Sequence, residues 1–342
     1  MKQRGLVQAH VFQVGLPDGA HASLSCQDLV GNPGAGVAAG VVVFPALTGL
    51  GPLMAGAPGE SPRWEEAEET YNLWGKALAR DTGLFVCPGT FLKRAAGGFE
   101  HLAYLFDPSG EVVLRQGQTH QGGLLPEGLG ELQAWNSIEV YSAADAETIP
   151  GDWGSDLTFG FAIGPDAAIP EVGRILALQG VDIVISPQAR PAPYSLLDQV
   201  QGLWQVTQQN QFFSLESCLV GSAVAMDTAS IGGATGTGRD LELEGRSTVF
   251  GPCEITEANS GFVGALSGLG SLHLDVADQF VDLSRLAASR GTSGQGLVSA
   301  VLDLDALDRI RRQYNILHFL NPPVYKEFMP RIYRGREGEG NE

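Results

Sequence analysis

The stretch "GFAIGPDAAIPEVGRILALQGVDIVISPQA" (residues 160–189) constrains the fold more than any other part of the chain. An apolar run ends at Gly164-Pro165, a helical pattern starts at Pro170, and a second apolar run, "VDIVISP", closes it. Runs without polar alternation suit strands buried on both faces, and two of them joined through a helix lie parallel. A sharp strand-to-helix corner of this kind often carries a nucleophile. Gly164 and Pro165 have no nucleophilic atom, and Pro165 steers the residue before it away from right-handed helical dihedrals.

The same alternation runs along the chain. Further strand-like segments are "LVQAHVFQV", "GVVVFPAL", "GLFVCPGTF", "HLAYLFD", "EVVLRQ", "FFSLESCLVGSAVA", "RSTVFGP" and "GLVSAVLDL". Residues 63–80, 170–179, 193–210 and 304–314 read as helices, the first opened by acidic and closed by basic residues, as the helix dipole prefers. "YLFDPSGEVVLRQ" reads as a hairpin around an Asp-Pro-Ser-Gly turn. No tandem repeat or linker divides the sequence, so a single α/β domain is expected over residues 1–330, followed by a disordered Gly/Glu-rich tail at 331–342. The segment 227–245 reads as a Gly/Thr-rich loop; its "GGATGTG" lacks the Lys-Ser/Thr that a phosphate-cradling loop needs.

Charge narrows the partners. Acidic residues outnumber basic ones 39 to 21, a net charge of −18, and this field repels nucleic acid and anionic membrane surfaces. Residues 29–59 contain no charged side chain, but Pro33, Pro45, Pro52 and Pro58 interrupt them, so a buried strand and loop are expected rather than a membrane span. Cys26, Cys87, Cys218 and Cys253 show no CxxC pairing and the histidines are scattered. No metal site, disulfide framework or cofactor is therefore expected, and with no secretion signal the expected compartment is the cytoplasm.

In this order the motifs resemble those of the carbon–nitrogen hydrolase (nitrilase) superfamily over about residues 6–325. "VVVFPALTG" is similar to the strand and turn carrying that family's "FPE", and "AYLFDPSGEVVLRQGQTH" to its hairpin ending in "KTH". "FAIGPDAAIPEVGRILALQGVDIVISPQA" resembles the nucleophile motif, and "WQVTQQNQFF", "GRSTVFGPCEIT" and "GLVSAVLDLDALDRIRRQY" resemble the later ones. The resemblance implies a four-layer α-β-β-α sandwich that pairs sheet faces in a homodimer or higher homo-oligomer.

Family members use a Cys nucleophile, a Glu base and a Lys. A thiolate must form beside the reacting carbon, a carboxylate must shuttle its proton, and a cation must hold the developing charge. Carried over motif by motif, the Glu falls on Ala46, the Lys on Gln118 and the Cys on Gly164, with Thr119, His120, Asp166, Pro170 and Glu171 kept and the Arg of the motif replaced by Ala168. A shift in alignment does not restore them. The first Glu of the chain is Glu60, no Lys lies between Lys93 and Lys326, and no Cys lies between Cys87 and Cys218. Glu127 or Glu131 stands where the family has a second glutamate.

No catalytic residue is therefore expected at these positions. The expected pocket comprises Ala46, Gln118, His120, Glu127, Gly164, Pro165, Glu216 and Cys218. Three readings stay open at this stage. The first is a pseudoenzyme that binds a small molecule or a partner subunit, including an active relative, in the old pocket. The second is an amidohydrolase with Cys218 as nucleophile and Glu216 or Glu127 as base. The third is a purely structural homo-oligomer with a filled pocket.

Overall fold

The computed structural model describes residues 4–15, 39–50, 64–122, 131–143, 157–194, 198, 200–222, 242–265 and 296–336. Two sheets form its centre. The first contains β1 (Leu6–Gln13), β2 (Ala39–Val43), β3 (Phe85–Cys87), β4 (Phe91–Ala95) and β5 (Gly98–Phe106), with β16 (Gly296–Asp303) at one edge. Its order is β16-β1-β2-β3-β5-β4, and β6 (Val112–Gly117) and β7 (Glu131–Leu132) also pair with β5. The second sheet has the order β15-β14-β11-β10-β9-β8, built from β8 (Val140–Ser142), β9 (Thr158–Phe161), β10 (Ile183–Ala189), β11 (Phe213–Leu219), β14 (Thr248–Phe250) and β15 (Phe262–Ala265). A separate ribbon joins β12 (Gly221–Ser222) to β13 (Glu242–Leu243).

Three parallel strands lie at the heart of each sheet, β1-β2-β3 in one and β9-β10-β11 in the other. Parallel strands need covering on both faces, and the unbroken apolar runs supply side chains for both. One set meets between the sheets: Val7, Ala9, Val11, Val41 and Val43 pack in one cluster with Phe159, Phe161, Ile183, Ile185 and Leu215. The opposite faces receive helices. Helix α1 (Ala67–Thr82) sets Tyr71, Leu78 and Ala79 against Val42, Val86 and Phe106 of the first sheet. Helices α2 (Pro170–Leu178) and α3 (Gln205–Asn210) set Val172, Leu176 and Val206 against Ala162 and Val184 of the second. The result is the expected α-β-β-α sandwich.

Local chemistry fixes the element ends. Gly83 closes α1 at φ +66, its N–H reaching the Ala79 carbonyl, as left-handed helix caps do. Pro170 occupies the first turn of α2, where its missing N–H leaves no helical bond unmade. Asp303 caps α4 (Leu304–Gln313) by accepting from the Ala306 N–H at 2.8 Å. The predicted hairpin is β5–β6, its turn held by the Asp107 carboxylate, which accepts from the Ser109 and Glu111 amides at 2.9 Å. The buried Asp182 pairs with Arg4 and Arg311 and accepts from the Thr158 N–H, tying the start of the described chain and α4 to the start of β10.

Two boundaries differ from the sequence reading. Of the expected helix at 193–210, residues 193 and 194 are not helical, Val200–Trp204 form a helical turn broken at Gly202, and α3 runs over Gln205–Asn210. The expected tail is shorter: α5 (Pro322–Arg336) continues through residues 331–336, started by the proline pair at its first turn. Residues 123–130, 223–241 and 337–342, and with them Glu127, most of the Gly/Thr-rich loop and the end of the chain, lie outside the described residues, as does Cys26. No described helix is long and apolar enough to cross a membrane, and no described group of His, Cys, Asp and Glu is arranged to hold a metal ion.

Candidate functional site

A cavity of about 370 Å³ opens where the C-terminal ends of β2, β9 and β10 meet the turn after β6. The ends of parallel strands are where open α/β sheets place their ligands. Ala46 follows β2, Gln118 follows β6 and Gly164 follows β9, and all three line this one cavity together with Pro165. Leu47, His101, Ala167, Ala168, Gln188, Ala189, Arg190, Pro191, Asp198, Gln201 and Gly202 complete the wall.

Gly164 forms a sharp left-handed corner at the end of β9. Its φ is +54, and a Cβ built on it would sit 3.3 Å from Gln118 Oε1, facing the position that the resemblance assigns to the lysine. The Gly164 carbonyl accepts from Gln188 Nε2 at 3.0 Å, and Ser186 Oγ donates to the Ala162 carbonyl at 2.7 Å. Across the cavity Leu47, beside Ala46, also has a left-handed φ of +65, a rare state for a branched side chain. Its amide is held by Thr90 Oγ1 at 2.8 Å. Backbone strain thus lies at Leu47, while Gly164 takes its left-handed conformation without cost.

Gln118 is fully occupied. Oε1 lies 2.7 Å from His101 Nδ1, and Nε2 donates to the His120 carbonyl at 2.6 Å and to the Gly122 carbonyl at 2.9 Å. A carboxamide nitrogen has two hydrogens, so neither remains for a ligand. Because Oε1 only accepts, His101 carries its proton on Nδ1, and its Nε2 takes the hydroxyl hydrogen of Thr90. Burial lowers the His101 pKa, opposed by the Gln118 bond and the Asp166 carboxylate, and the imidazole is neutral as this pattern requires. The result is a relay from the Leu47 amide through Thr90, His101 and Gln118 to two backbone carbonyls, with every proton assigned and no charge.

The remaining predicted residues divide. His120 does not line the cavity; its Nδ1 and its amide lie 2.9 Å from Asp166 Oδ1, and Thr119 bonds the same carboxylate through its amide and hydroxyl. Asp166, buried in the corner turn, thereby pins the 118–120 segment to the β9 corner. Glu216 and Cys218 also lie off the cavity wall, correcting their expected place in the pocket. They share one face of β11 behind Arg190, whose Nη2 bonds Glu216 Oε1. Cys218 packs against Gly245 so closely that a Cβ there would meet it at 2.5 Å, and burial, with the Glu216 carboxylate next, pushes its thiol up to about 12. Burial also raises the Glu216 carboxyl, with Arg190 pulling it back. Cys87 is core, its thiol likewise pushed up to about 12 by burial. Glu131 begins β7, which pairs with the start of β5.

The sequence reading missed His101, Gln188, Arg190, Asp198 and Gln201. Arg190 carried a signal: a lone charge directly after a buried apolar strand, before Pro191, is placed at a strand end rather than on a solvated face.

No family model matches the chain. A hydrolase of Schizosaccharomyces pombe is 28% identical over 127 residues, which is 36% of this chain and 37% of that protein, so the chain matches little more than a third of this relative's length. Solved structures align over almost the whole chain. A carbon–nitrogen hydrolase from Helicobacter pylori G27 superimposes with a TM-score of 0.63 at 18% identity, covering 95% of this chain and 98% of that one. A mutant amidase from Nesterenkonia sp. AN1, carrying the acetamide moiety of fluoroacetamide on its active-site cysteine, superimposes with a TM-score of 0.57 at 17% identity, covering 93% and 97%. With a strand-to-helix corner, a hairpin turn and a strand end converging on one cavity between two helix-covered sheets, this chain has the fold of the nitrilase-superfamily carbon–nitrogen hydrolases.

Proposed function

We propose that this protein has the architecture of a carbon–nitrogen hydrolase without its chemistry, and that it binds a small molecule in the cavity at Ala46, Gln118 and Gly164. One observation carries the reading. The three positions that the resemblance assigns to base, cation and nucleophile converge on one cavity, and none of the three side chains can perform its role. Ala46 accepts no proton, Gly164 has no side chain, and both hydrogens of Gln118 Nε2 are engaged by carbonyls. A developing oxyanion there would meet a neutral amide with no donor left.

A relocated Cys218 nucleophile fits the geometry less well. Its thiol is buried, is held in the protonated form at neutral pH and lies behind Arg190 rather than on the cavity wall. A filled, purely structural pocket is disfavoured by the open cavity of about 370 Å³, a volume within the small-molecule range. Pairing with a second copy or with an active relative belongs to the same proposal, and light scattering alone and with such a relative tests it.

The functional test is ammonia release from a panel of amides, nitriles and N-carbamoyl compounds. No turnover is expected from the purified protein. Turnover that is abolished by a single substitution in this chain would overturn the proposal.

A further inference from the structure

Arg190 is the only permanently cationic side chain among the described residues lining the cavity. It stands one residue past β10, at the strand end where ligands of such sheets sit. Its side chain is largely buried, with 17% exposure, and its ion-pair partner among the described residues is Glu216, itself fully buried. That pair is formed through a single nitrogen and a single oxygen: Nη2 meets Oε1, while Nη1 and Oε2 are buried with no hydrogen-bond partner among the described residues. A guanidinium that served only to neutralise Glu216 would favour the two-bond fork its geometry allows. Apolar Ala46, Leu47, Ala167, Ala168 and Pro165 line the same cavity.

We infer that the cavity takes a small monocarboxylate, its carboxylate anchored by the guanidinium of Arg190 and its short apolar tail lying against the alanine and proline wall. The inference rests on the reading of this cavity as a ligand site, and it names the class of ligand. Gln118, at the position assigned to the family's lysine, offers no hydrogen to an anion, so recognition falls to Arg190. A guanidinium suits this task better than an ammonium because its planar fork matches a carboxylate. Asp198, exposed on the same lining, sets the upper limit of ligand charge, since a second negative charge would be repelled.

The test compares butyrate with butyramide, which match in shape and differ in charge, by calorimetric titration of the intact protein. Succinate and a panel of neutral fragments serve as controls. Butyrate is expected to bind at least about tenfold more tightly than butyramide. Succinate is expected to bind more weakly than butyrate, and equal or tighter binding overturns the restriction to monocarboxylates. Arg190→Gln alone leaves Glu216 buried and uncompensated and endangers folding, so the deciding variant is Arg190→Gln/Glu216→Gln, which removes both charges together. In that variant the preference for butyrate is expected to vanish. Equal binding of butyrate and butyramide, or a preference that survives in the double variant, overturns the role of Arg190 and leaves the cavity reading standing. Failure of butyrate to bind while neutral fragments bind also overturns it, and failure of every probe removes the ligand-site reading itself.

Discussion

Replacing Gly164 with alanine measures how firmly the corner after β9 is held. Two terms add. Gly164 has φ +54, and a left-handed conformation costs a non-glycine residue about 1–2 kcal/mol, partly offset by about 0.4–1 kcal/mol from the stiffer unfolded chain. The new Cβ would also lie 3.3 Å from Gln118 Oε1, and three hydrogen bonds prevent Gln118 from yielding. Loosening one of them costs about 0.5–1.5 kcal/mol. The sum is about 2 kcal/mol for Gly164→Ala. Gly180, just past the end of α2, supplies the control, because its φ is +81 and a Cβ placed there would have nothing within 4 Å. Gly180→Ala should therefore show the backbone term alone, about 1 kcal/mol. Urea unfolding of the wild type and both variants reads the difference as a shift in midpoint at constant slope. If Gly164→Ala is no less stable than Gly180→Ala, Gln118 is not rigid. If it equals the wild type, Gly164 is not held left-handed.

Gly164→Cys alone is expected to release no ammonia from any amide, since Ala46 and Gln118 supply neither base nor cation; measurable turnover would refute the need for those partners. Gln118→Leu leaves the His101 Nδ1–H and its neighbours without partners and should lower stability by about 1–3 kcal/mol in chemical unfolding, whereas adding His101→Phe should cost less than the sum of the two changes. Cys218, with its thiol pushed up to about 12, should resist iodoacetamide in the native protein at pH 8 and react on unfolding; rapid native labelling mapped by mass spectrometry would contradict its burial. His10 is almost fully buried, and desolvation lowers its pKa from 6.5 to about 4. The unfolded chain therefore takes up a proton below pH 6.5 that the folded chain refuses until about pH 4, so stability falls across that window, by about 3 kcal/mol at its lower end. His10→Asn should flatten the pH dependence of the urea midpoint between pH 6.5 and 4, and an unchanged slope would reject the assignment.

The sandwich was legible because its central strands are apolar on both faces: "GVVVF", "LTFGF" and "VDIVIS" became β2, β9 and β10. Short edge strands such as Val140–Ser142 were not, since three residues carry no periodicity and owe their form to a neighbour, here Phe159 across from Tyr141. Helix α5 was hidden by its prolines, which read as breakers but stand at its start and at Pro330. At the site, Ala46, Gln118, Gly164 and Pro165 could be found because motif order carries them. The polar wall could not, because His101, Gln188 and Arg190 reach the cavity through tertiary packing of strands distant in sequence. Glu216 and Cys218 were misplaced for the opposite reason: a two-residue spacing gives a shared strand face but not which layer that face meets.

The neutral relay through Thr90, His101 and Gln118 bears on how this protein could change in future generations. Each member has its proton direction set by the next, so a lysine introduced at position 118 would present a donor to a donor at His101 Nδ1. A lysine there would fit only with a reversed imidazole tautomer and a new acceptor for the Thr90 hydroxyl. A substitution at position 118 alone thus leaves an unmatched buried polar group at His101, which lowers stability. The wiring around Gln118 therefore couples position 118 to His101 and Thr90, so that a change at one of them is felt at all three.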